Sequence, residues 1–331
     1  MKRRLIPAFA VCVAILLCLC GCDLFRALAT RGKMYIVTIG IGYENALVPG
    51  SDESVTKLKY TRADARQIGL CFQALCNETG RECELFDFSD DYTRSDDHYP
   101  TRTRIDAKIL SFGALASEDD LLVVFVSSHG YNNGSENKSH YSYYDSNKWQ
   151  NNCGLAVLSP SGPKLYVDYV TGEDLISTLN CFPGKKALIC DFCYSGSLIG
   201  ENNVTTDSTI YATSANSVST LELLFSQSPA ISNDGLYILT ACKPYEQSWE
   251  SDSLEHGIFT YGILKALGWN GASSTLEDTI PAQSGDTVCL GNLAAAAVEV
   301  LRSEDVGGRT KQHMKITGSS DDLVLFDGLR L

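Results

Sequence analysis

The chain has 331 residues, 44% of them hydrophobic and 20% charged, enough apolar material for a sizeable core in one large domain or two small ones. Forty acidic against 27 basic residues leave a formal charge of −13. A field of that sign repels a phosphate backbone, and no basic stripe interleaved with aromatics offsets it, which argues against nucleic acid as a partner.

The N-terminus reads as a targeting segment. Lys2, Arg3 and Arg4 supply a positive start, and Leu5 to Leu19 an apolar run too short for a comfortable membrane span. The run ends in LCGC, which resembles a bacterial lipoprotein signal. That resemblance implies cleavage after residue 21, a lipid on Cys22, a tether over 22–32 and a place in the cell envelope, held to the membrane by the lipid. An ordinary signal peptide would also export the chain.

From 33 onward the pattern is that of one domain reaching to 331, with no repeats and no Pro-rich linker. Met34 to Gly40 (MYIVTIG) is β-branched and apolar and predicts a buried strand. Thr61 to Cys76 places Ala63, Ile68, Phe72 and Leu75 on or near one helical stripe, Glu82 to Phe88 predicts a strand, and Ile105 to Ala116 returns to helical spacing. Leu121 to Ser127 (LLVVFVS) is the strongest buried strand. Residues 131–152 break the pattern with Gly, Asn and several Tyr, and predict a surface flap beside a site. A hairpin over Leu155 to Leu158 and Lys164 to Val167 follows, then a helix over Glu173 to Leu179 and a strand over Lys186 to Asp191. Further strands are expected at Thr209 to Thr213, Tyr237 to Ala241 and Leu323 to Phe326, and helices at Ile258 to Leu267 and Leu293 to Leu301. Strands alternating with helices predict an α/β fold with a mainly parallel sheet covered on both faces.

Thirteen cysteines suggest a disulfide framework until they are placed. Cys12, Cys18, Cys20 and Cys22 lie in the targeting segment, leaving Cys71, Cys76, Cys83, Cys153, Cys181, Cys190, Cys193, Cys242 and Cys289. An odd remainder fits one reactive thiol among pairs, and equally nine free thiols. Cys190 and Cys193 have CxxC spacing but no second pair or Cys/His cluster completes a metal site, so no metal or other cofactor is expected.

Two segments share a local form in which an apolar strand runs into a reactive residue flanked by small ones. LLVVFVSSHG puts His129 just past a strand and before Gly130, and KALICDFCYSG puts Cys193 in the same relation to its own strand. In open parallel sheets sites lie at the carboxyl ends of strands, so both side chains are expected at one cleft. A thiol with an imidazole to manage its proton can attack a peptide carbonyl, and backbone N–H groups, here Gly130 and Cys193, would receive the oxyanion. The acceptor that orients the imidazole has no sequence signal, and a backbone carbonyl would serve.

Ser128, His129 and Gly130, followed by Asp191, Cys193, Ser195 and Gly196, resemble the histidine and cysteine motifs of the caspase-like peptidases, especially the bacterial and metacaspase branch. The resemblance extends to the opening strand, the helix with Asp64, the TACKP segment around Cys242, and GIFTYGILKAL at 257–267. It implies a caspase-like three-layer sandwich and a Cys–His endopeptidase working without cofactor on a peptide or protein substrate, as a monomer. The animal signature Gln-Ala-Cys is absent, against strict cleavage after aspartate. The resemblance also implies that Asp64 and Asp191 line the S1 pocket, where two carboxylates would favour Arg or Lys before the scissile bond. Asp191 could instead cap the strand end or take loop amides, and Asp64, in the RADAR segment, could instead pair with neighbouring arginines on a solvated helix face. Asp119 and Asp120 read as a strand-entry turn, and Tyr194 and Trp249 as pocket walls or packing.

From Ala187 through Cys242 there is no Lys or Arg, so an enzyme that needs a basic residue could not cut itself there. Other readings are a legumain- or gingipain-like peptidase with another P1 preference, an inactive caspase-like binding module, and a hydrolase of esters or small amides.

Overall fold

The structure is a computed structural model that describes residues 32–132, 153–199, 208–209, 235–244, 246–304, 312–317 and 323–329. In chain order its strands are β1 (Met34–Gly40), β2 (Cys83–Ser89), β3 (Leu121–Ser127), β4 (Gly130–Asn132), β5 (Cys153–Ser161), β6 (Lys164–Thr171), β7 (Lys185–Asp191), β8 (Ser208–Thr209), β9 (Leu236–Thr240), β10 (Glu250–Ser251), β11 (His256–Gly257), β12 (Trp269–Asn270), β13 (Thr275–Leu276), β14 (Thr287–Cys289), β15 (His313–Ile316) and β16 (Val324–Asp327). The helices are α1 (Thr61–Thr79), α2 (Arg102–Leu115), α3 (Gly172–Leu179), α4 (Ile258–Ala266) and α5 (Leu290–Ser303).

The main sheet runs in the order β2-β1-β3-β7-β9-β15-β8. Its first five strands are parallel, and β15 pairs antiparallel with β9. Because strand side chains alternate, each apolar strand feeds two cores. Ile36, Val123, Phe125 and Ile189 pack on one face with α1, α4 and α5, through Phe72, Phe259 and Leu293 among others. Tyr35, Val37, Val124 and Leu188 pack on the other face with α2 and α3, through Phe112 and Leu179, and with the β5–β6 hairpin. The expected α/β sandwich with helices on both faces is therefore the observed one.

Most element bounds fall within a few residues of expectation. The hairpin is longer than its apolar runs suggested, since β5 and β6 pair from Gly154 opposite Thr171 to Ser161 opposite Lys164. With β4 they make a three-stranded sheet. The strand expected near Leu323 is present but pairs with β14 outside the main sheet. β15 was not expected: its HMKI sequence is too short and too polar to stand out. The flap residues 133–152, positions 210–213 of the expected 209–213 strand, and Cys22 with the rest of the targeting segment lie outside the described residues.

Candidate active site

β3 and β7 are adjacent parallel strands in which Ser127 is the register partner of Asp191. His129 and Cys193 each stand two residues beyond those partners. The same strand ends thus deliver both side chains to one cleft of about 540 Å³, lined also by Thr56, Ser128, Gly130, Asp191, Trp249 and Glu250. Both are half-buried. The Ser128 amide donates to the Asp191 carbonyl at 3.2 Å, tying the two strand exits together. Gly130 completes this closeness: a Cβ on it would stand 1.9 Å from the Cys193 carbonyl oxygen, so only glycine lets the two motifs meet.

The imidazole is fixed from two sides. Nε2 of His129 lies 2.7 Å from the Thr56 carbonyl oxygen, so Nε2 carries the proton and Nδ1 is left to exchange one. The orienting acceptor is thus a backbone carbonyl. On the other side the ring packs against Tyr43 at a centroid distance of 4.7 Å. The fully buried Tyr43 hydroxyl accepts from the His129 amide at 3.0 Å and donates to the Ala156 carbonyl at 2.5 Å. Burial lowers the pKa of His129, partly offset by the bond to Thr56 and the charge of Glu250. Burial raises that of the Cys193 thiol, whose sulfur lies 3.7 Å from the Ser248 carbonyl. Both shifts favour the uncharged forms, thiol at Cys193 and neutral imidazole at His129.

After Cys193 the chain turns sharply. Tyr194 takes a left-handed φ of 63° and opens a 3-10 turn over Ser195–Leu198. The following motif residues hold this turn down: Ser195 Oγ is 3.5 Å from Cys242 Sγ, and Gly196 packs against the Cys242 and Lys243 backbone.

The two aspartates sit differently. Asp191 lines the cleft but is 5% exposed and already occupied, accepting from the Ser248 hydroxyl and from Thr260 Oγ1 at 2.6 Å and N at 3.2 Å. Asp64 is fully enclosed, with Oδ1 2.6 Å from His256 Nδ1 and Oδ2 accepting from the Gly257 amide at 3.0 Å. Gly257 separates the carboxylates, since a Cβ there would stand 2.4 Å from Asp191 and 3.0 Å from Asp64. Asp64 is therefore a backing residue behind the cleft wall. Burial raises both carboxyls, Asp64 to about 7 with His256 pulling down and Asp191 pushing up.

The segment 246–250 forms the facing wall, and sequence reasoning passed over its fastenings. Glu246 accepts from His313 N at 3.0 Å, and Gln312 donates to Ser248 Oγ at 3.1 Å. Glu250 accepts from the amides of Tyr60 at 2.7 Å and Lys59 at 3.0 Å, binding this wall to the loop whose Thr56 carbonyl holds His129. Trp249 and Tyr194 both line the cleft, Trp249 being 42% exposed. Asp120 is a turn acceptor at the entry to β3, taking the amides of Lys33 at 2.6 Å and Ser117 at 2.7 Å.

A family model described as the caspase domain matches residues 36–283, most of the chain. The chain belongs to the caspase domain family. Membership supports a cysteine-peptidase-type function. Among solved structures, this caspase domain is similar to the protein GSU0716 from Geobacter sulfurreducens, with a TM-score of 0.46 and 13% identity over 87% of this chain and 94% of that one. A comparison with curated proteins gave no match.

Proposed function

We propose that the protein is a cysteine endopeptidase in which Cys193 attacks the scissile carbonyl, His129 moves the proton, and the amides of Gly130 and Cys193 receive the oxyanion. The observation that carries this reading is the register of Ser127 with Asp191, which points the thiol and the imidazole at one cleft. His129, with Nε2 committed to Thr56, takes the thiol proton on Nδ1 and returns it to the leaving amine.

The same cleft favours Arg or Lys before the scissile bond. Its charged lining is Asp191 and Glu250 against Lys57, and Lys57 already faces Glu44 at 2.5 Å. An incoming guanidinium or ammonium would bring Asp191 to its ionised form, which the resting site disfavours. Asp64 supports this wall from behind through His256 and the Gly257 amide. We further propose export and lipid attachment at Cys22, supported by the basic start, the short apolar run and the LCGC ending.

A panel of fluorogenic peptides differing only at P1, run with Cys193→Ala, His129→Ala and Asp191→Asn, tests the assignment. Arg and Lys peptides should be cleaved, the first two variants should be inactive, and Asp191→Asn should lose at least ~100-fold in kcat/KM on them, about 3 kcal/mol. Cleavage of an Asp peptide with none after Arg or Lys would overturn the specificity. Lack of labelling of the folded wild type by an active-site alkylating probe would overturn the peptidase.

A further inference from the structure

Away from the cleft, the structure brings two cysteines together at the end of α1. Cys76 lies in the last turn of α1, fully buried, and Cys83 opens β2, the edge strand of the main sheet. A short turn through Gly80 reverses the chain between them, with Arg81 N donating to the Cys76 carbonyl at 2.8 Å. Met34 stands beside both. It is the register partner of Cys83 across β1 and β2, and its sulfur lies 3.6 Å from that of Cys76. The Met34 side chain is thus the shared neighbour of both thiols, touching that of Cys76 and standing beside that of Cys83 on the same face of the sheet.

Their environments are unequal in the way thiol chemistry uses. Cys83 is half-exposed, and the neighbouring Cys76 together with Lys33 and Arg81 draws its thiol down to about 7, whereas Cys76 is raised. An accessible, more acidic thiol near a shielded one is the arrangement of an attacking and a resolving cysteine. Nothing in the proposed peptidase chemistry uses either residue.

We propose that Cys76 and Cys83 are a built-in dithiol site that a disulfide oxidant converts into an intrachain disulfide, joining the end of α1 to the sheet edge. Cys83 thiolate attacks one sulfur of the oxidant, breaking its S–S bond and releasing one thiolate, which takes up a proton. Cys76 gives up its proton and attacks the Cys83 sulfur of the mixed disulfide, and the second half of the oxidant leaves as a thiol. One disulfide is consumed and one formed, and the two protein protons end on the two released thiols.

The test uses the full chain, folded, incubated with oxidised glutathione at pH 7.5, then alkylated and digested with trypsin without reduction. The expected product is peptide 67–81 joined to peptide 82–94 with fragmentation placing the bond at Cys76, because Cys71 shares that peptide. Cys76→Ala should stop at a stable glutathione adduct on Cys83, and Cys71→Ser should still form the link. The cross-linked protein should unfold about 5 °C higher than the reduced one. Alkylation of both Cys76 and Cys83 after oxidation, a stable adduct on Cys83 in the wild type, or a link through Cys71 would each overturn the proposal.

Discussion

Replacing Glu250 by Ala removes the two bonds that join the 246–250 wall to the loop behind His129. Its carboxylate takes the amides of Lys59 and Tyr60, and four residues before Tyr60 the Thr56 carbonyl holds Nε2 of the imidazole. Both freed amides lie near the surface, where water can replace part of what is lost, so the net cost falls below the ~3 kcal/mol low end for two charge-assisted bonds, to about 2 kcal/mol. If that energy is what keeps the loop in place, the productive imidazole orientation becomes about thirty-fold rarer. The assay is the rate of Cys193 alkylation by iodoacetamide, which needs no subsite contacts, run beside kcat/KM on an Arg peptide and thermal unfolding. Both rates should fall by ~10- to 100-fold in Glu250→Ala, and less in Glu250→Gln, which keeps one acceptor oxygen. The Gln variant should also move the acid limb of the pH profile to lower pH, because the Glu250 charge raises the pKa of His129. A folded Glu250→Ala protein that alkylates at the wild-type rate would refute the reasoning, and a loss confined to peptide cleavage would mean that Glu250 acts on the substrate.

Three further outcomes follow from the same geometry. Since burial raises Cys193 and lowers His129, alkylation of Cys193 by iodoacetamide, read on its own peptide by mass spectrometry, should keep rising with pH beyond the ordinary thiol value of about 8.5. A plateau reached below pH 6 would reveal a resting thiolate–imidazolium pair instead. Asp64, raised to about 7 in the fold, is more protonated there than in the unfolded chain, so its contribution to stability is present below pH ~4 and lost as the pH climbs through 7. Urea midpoints should therefore show the wild type losing up to about 4 kcal/mol relative to Asp64→Asn between pH 4 and 7, and parallel curves would count against this. Finally, pure protein left to incubate should show no new N-terminus between residues 197 and 236, because Ala187 to Cys242 contains no basic residue; N-terminal sequencing reads this directly, and a cut there would contradict a basic P1.

The parallel core was legible because its strands are buried on both faces and therefore read as unbroken apolar runs, as in LLVVFVS and KALICD. β10, β11 and β15 were not, being two- to four-residue strands whose pairing depends on neighbours distant in the chain. In the site, His129 and Cys193 announced themselves through small flanking residues at strand exits. Thr56 could not, since every residue carries a carbonyl and its role is a matter of loop path alone. Asp64 was visible as an acid, but whether it faces the cleft or His256 depends on Gly257, 193 positions away. The approach of Cys76 and Cys83 to Met34 was equally hidden, because only the β1–β2 register shows that the turn folds back on it.

The pairing of Ser127 with Asp191 also determines where this protein can tolerate change in length. One residue added or removed within either strand would displace its reactive group by about 3.3 Å and turn it toward the opposite face.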